Sequence, residues 1–71
     1  MRVLLEVGVV FHPRAARAVA HLLGTLPRVE TVEVHPGTHR VQVQGQASEA
    51  ELLEALHGAG VEARVLASSE S

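Results

Sequence analysis

The sequence predicts an α+β fold, with two helices on one face of a four-stranded antiparallel sheet, in the order β-α-β-β-α-β. Three observations predict it. Four short segments alternate apolar and other residues with a period of two. Two segments between them repeat apolar residues at three- and four-residue steps. A right-handed crossover for each strand–helix–strand unit then puts both helices on the same side. The chain has 71 residues, enough for one small domain. That domain is expected over residues 1–66, with 67–71, "ASSES", as a polar tail or the start of a linker.

The first strand covers residues 2–9, with Val3, Leu5, Val7 and Val9 on one face and Arg2, Leu4 and Glu6 on the other. Pro13 suits the first position of a helix, where its missing N–H costs nothing. Ala16, Val19, Leu22 or Leu23, and Leu26 form the apolar stripe that follows, and Gly24 and Pro27 end it. Residues 29–35 alternate again, with Val32 and Val34 inward. His35 to Thr38 reads as a four-residue turn. That turn would pair Val34 with His39 and Val32 with Val41, so that His39 shares the inward parity of Val41 and Val43 and faces the helices.

Ser48-Glu49-Ala50-Glu51 has the Ser-x-x-Glu pattern of a capping box. Behind it, Leu52, Ala55, Leu56 and Ala59 form a stripe, and Gly58 and Gly60 supply the stop. Residues 61–66 alternate once more, with Val61, Ala63 and Val65 inward. Arg2, Glu6, Glu33, Arg40, Gln42, Gln44, Glu62 and Arg64 fall on the sheet face away from the helices, which is therefore solvated. The architecture is the ferredoxin-like βαββαβ sandwich.

Composition removes several function classes. The chain has no cysteine, which excludes disulfides, thiolate metal sites and thiol catalysis. A net charge of −2 and a single aromatic residue, Phe11, argue against nucleic acid as a partner. No apolar run approaches the ~20 residues that span a bilayer, so no membrane insertion is expected, and the expected compartment is the cytoplasm. No nucleophile–base pair and no phosphate-binding glycine loop is present, so the chain reads as non-catalytic. Glu49, Glu51 and Glu54 read as a solvated helix face.

This fold hosts many functions, so function must come from a site. Over residues 3–66 the chain resembles the heavy-metal-associated (HMA) domain of copper chaperones and of the N-termini of metal-transporting P-type ATPases. "LEVGVV" resembles the strand that leads into that family's Gly-Met-Thr-Cys-x-x-Cys loop. "LPRVETVEV", "VQVQG" and "LLEALHGAGVEARV" resemble the remainder in order and spacing. The likeness breaks at the functional loop, where Gly8 is followed by Val9-Val10-Phe11-His12-Pro13-Arg14-Ala15-Ala16-Arg17. Both thiolates, the soft ligands for Cu(I), are missing, and the loop is one residue longer. The resemblance implies a degenerate HMA domain: a cytosolic docking or regulatory module of a cation-transporting P-type ATPase, or of an accessory protein to one.

Two chemistries remain for the loop. The first helical turn carries Arg14 and Arg17 beside His12, where most proteins place Asp or Glu. Three such residues favour an anion or an acidic patch on a protein partner, and the bland alternative is that the Arg stems cover apolar surface. The second is a histidine site for a divalent transition metal, Zn(II), Ni(II) or Cu(II), from His12 with His39 and His57. The topology brings His12, His35, His39 and His57 to one pole and leaves His21 along the helix. No other cofactor is indicated. A third reading, an ACT-like small-molecule regulatory domain, shares the element order, but the "LPRVETVEV" segment argues against it.

Overall fold

The computed structural model describes residues 1–8 and 13–69. Its elements are β1 (Arg2–Val7), α1 (Pro13–Gly24), β2 (Val29–His35), a 3-10 turn (Pro36–Thr38), β3 (Arg40–Gly45), α2 (Glu49–Gly58) and β4 (Ala63–Ser69). The four strands form one antiparallel sheet in the order β2-β3-β1-β4. β1 and β3 are central because both alternate cleanly, with Val3, Leu5, Val7, Val41 and Val43 buried on the helix side. α1 packs over β2, and α2 packs over β4 and against α1.

The core is almost wholly aliphatic. Leu5, Leu23, Leu52 and Leu56 are fully buried and close the space between helices and sheet. On α1 the choice left open between Leu22 and Leu23 falls to Leu23, with Leu22 half-buried at the edge of the stripe. On α2, Leu52 and Leu56 carry the packing, and Ala59 is exposed at the C-cap instead of closing the stripe. Ser48 caps α2 as its sequence predicts: its backbone is extended, and its Oγ accepts from the Glu51 N–H at 3.2 Å. The Glu51 carboxylate turns to the Arg28 guanidinium at 3.4 Å, an exposed and weak pair.

α2 ends on a Schellman closure. Gly60, at φ +80°, donates its N–H to the His57 carbonyl, and the Val61 N–H reaches the Leu56 carbonyl at 2.9 Å. Of the two expected stop glycines, Gly60 is thus the one that turns the chain, and Gly58 is the last helical residue. Val61 is spent on this closure, so β4 begins later than the expected residue 61. It also runs further, because Arg2, Val3 and Leu4 take Ser69, Ser68 and Ala67 as partners. Residues 67–69, expected as tail, therefore extend β4. Backbone pairing needs no apolar side chain, so small polar residues can serve.

The hairpin register also differs from expectation. Val34 pairs with Val41 and Val32 with Val43, two residues away from the predicted pairing. The loop is 36–39, a 3-10 turn followed by His39 at φ +58°. His39 therefore lies outside β3 and is exposed, where it was expected to face the helices. The shift of two residues leaves every valine on its predicted face.

Candidate functional site

The candidate residues lie at the pole where β1 ends. Two hydrogen bonds fix that end: the Val7 N–H donates to the His39 carbonyl at 2.8 Å, and the Gly8 N–H donates to the Glu62 carbonyl at 2.9 Å. The strand is thus held between the entrances of β3 and β4 just before the family-like loop. Antiparallel topology brings the start of α1, the 36–39 loop and the end of α2 to this same pole.

On the α1 side, Arg14 and Arg17 are both exposed. No acidic residue stands in the first turn of α1, whereas α2 opens on Glu49 and Glu51. Acidic side chains thus complement the helix dipole in the first turn of α2, and the first turn of α1 carries none. Both helices carry a histidine in the last turn, His21 and His57, at the end that favours a cation. His12, named with Arg14 and Arg17, lies outside the described residues.

The metal reading placed His39 and His57 with His12. His39 and His57 do lie at this pole, both exposed, one on the β2–β3 loop and one at the end of α2. His35 sits on the solvent face of β2, with its Nε2 3.6 Å from Glu33. Among the described residues, no three His or Glu side chains come together in a way that could hold a metal ion. No helix among them is long and apolar enough to cross a membrane.

On the β4 side the pole holds a surface pocket of about 360 Å³, lined by Glu6, Gly8, His57, Glu62, Ala63 and Arg64. Glu6 and Arg64 are register partners on β1 and β4, and both guanidinium contacts to the Glu6 carboxylate are 2.8 Å. Sequence reasoning placed Glu6, Glu62 and Arg64 on the solvated sheet face but did not see the pocket. Its lining comes from three elements that only the β1–β4 pairing and the closure of α2 bring together.

The order β-α-β-β-α-β with strands arranged 2-3-1-4 is the ferredoxin-like fold, and solved structures that share it with this chain include heavy-metal-associated domains. The N-terminal domain of ZntA in its Zn(II)-form superposes with a TM-score of 0.85 at 26% identity, over 97% of this chain and 96% of that one. A copper binding domain from HMA7, a P-type ATPase, gives 0.87 at 22% identity, over 93% of each chain. The Atx1-Cu(I)-Ccc2a complex gives 0.84 at 18% identity, over 96% of this chain and 97% of that one. No protein-family profile and no curated protein matches the sequence. The chain has the HMA fold and no cysteine.

Proposed function

We propose that this chain is a degenerate HMA domain that has kept the fold and given up the thiolate site, and that it works as a non-catalytic docking or regulatory module. Its setting would be the cytosolic part of a cation-transporting P-type ATPase or an accessory protein to one. The observation that carries this reading is the pairing of the HMA fold with a chain that has no cysteine. Without cysteine, the chain has no thiolate to take part in thiolate-to-thiolate Cu(I) transfer.

The docking face would be the start of α1. Arg14 and Arg17 are exposed in a first turn of α1 that carries no acidic residue. Three positive elements there favour a carboxylate-rich surface on the partner and disfavour a cation. That proteins of this fold meet each other is supported by the Atx1-Cu(I)-Ccc2a complex. The test is the variant Arg14→Glu plus Arg17→Glu against the soluble domains of the transporter. Reversing two charges at a contact should weaken binding by roughly tenfold or more, with the far-UV circular dichroism unchanged. Retained binding by the folded variant contradicts the docking face.

A further inference from the structure

The pocket beside Gly8 carries the opposite sign to the start of α1. Its charged lining is Glu6, Glu62 and Arg64, with His57 at one wall. Arg64 is committed to Glu6 through both of its contacts. The Glu62 carboxylate makes no hydrogen bond or ion pair among the described residues. It stands above Gly8: a Cβ placed on Gly8 would lie 3.5 Å from the Glu62 Oε2 and 3.6 Å from its Cβ. Among the described lining residues, Glu6, Glu62 and Arg64 sum to one negative charge, beside the small residues Gly8 and Ala63. A volume of about 360 Å³ is in the range of small-ligand sites.

We propose that this pocket receives an arginine side chain from the protein partner that docks at Arg14 and Arg17. The proposal rests on the docking reading and adds a second, opposite contact to it. A guanidinium presents two parallel N–H donors that match the two oxygens of Glu62. Its aliphatic stem would lie along Gly8 and Ala63, the two small residues among the described lining. The Glu6–Arg64 pair fills the neighbouring register position and leaves Glu62 as the available acceptor. The pole is therefore two-signed, basic at α1 and acidic at β4. The partner must offer an acidic group and an arginine at the matching separation, which fixes its orientation as well as its charge.

The test uses the 71-residue chain and N-acetyl-arginine methylamide as the probe, followed by amide NMR, with N-acetyl-glutamate as the opposite-charge control. The expected result is saturable shifts confined to Gly8, His57, Glu62 and Ala63. Glu62→Gln should weaken them by about threefold or more, the scale of one exposed ion pair. Gly8→Leu should abolish them by filling the space beside Glu62, and that position has no left-handed φ to strain. Shifts spread evenly over Glu30 and Glu54 overturn the proposal, as does a probe affinity that Glu62→Gln leaves unchanged. Arg14→Glu plus Arg17→Glu separates the two ideas. If that variant still binds its protein partner while the probe titration succeeds, the α1 docking face is wrong and the pocket stands. If docking is lost as expected and the probe titration fails, the pocket proposal alone falls.

Discussion

Gly45 is the position where one added methyl group should do most damage. It ends β3 at φ +148°, a conformation that side chains with a Cβ rarely adopt. A Cβ there would lie 2.3 Å from the Arg28 carbonyl oxygen, 2.8 Å from the Glu30 nitrogen and 3.0 Å from the Val29 Cα. All three are backbone atoms, so no flexible side chain can yield. The Arg28 carbonyl also accepts the Gln46 N–H at 2.7 Å, and moving it away puts that bond at risk. Backbone strain costs about 1–3 kcal/mol and the hydrogen bond about 1 kcal/mol, so Gly45→Ala should lose roughly 3 kcal/mol. For a domain of this size that lowers Tm by roughly 12–24 °C. The chain has no Trp or Tyr, so urea and thermal unfolding are followed by far-UV circular dichroism. Gly58→Ala is the control: it sits at the end of α2 with nothing within 4 Å, and it should be neutral or stabilising. A loss below about 1 kcal/mol for Gly45→Ala would refute the close-approach argument.

Two further substitutions test the packing and the cap. Leu52 is fully buried between α2 and the sheet, so Leu52→Ala should cost about 3 kcal/mol in urea unfolding. Ser48→Ala removes the acceptor for the Glu51 N–H and should cost about 1 kcal/mol in the same assay.

Element type and order were legible because period-two and helical stripes report directly on which face is buried. Ser48 was legible because a cap is local. The hairpin register was not, since a shift of two residues keeps each valine on its face and leaves the alternation unchanged. The left-handed conformation of His39 decides it, and nothing in the histidine itself announces that. The end of β4 was hidden because Ala67, Ser68 and Ser69 pair through their backbone and have no apolar pattern. The need for glycine at 45 was hidden because the atoms it admits belong to residues 28–30.

The acid-free first turn of α1 with its two arginines, Arg14 and Arg17, could be read from the sequence because it is a local pattern. The pocket could not: Gly8, His57 and Glu62 meet only through the β1–β4 pairing and the Schellman closure of α2. The nearest sequence signal was the Glu6 and Arg64 parity on a shared sheet face.

If the chain keeps the HMA fold without a metal site, as proposed, it should hold no transition metal at a defined position. Amide NMR titration of the chain with Zn(II), Ni(II) and Cu(I), at about pH 7.5 and so above the ordinary imidazole range, tests it most directly. No saturable shift is expected at His39, His57 or the loop before α1, with at most weak surface broadening. Saturable shifts that cluster at His12 and at His39 or His57 would contradict it and show that the loop had been rebuilt as an imidazole site.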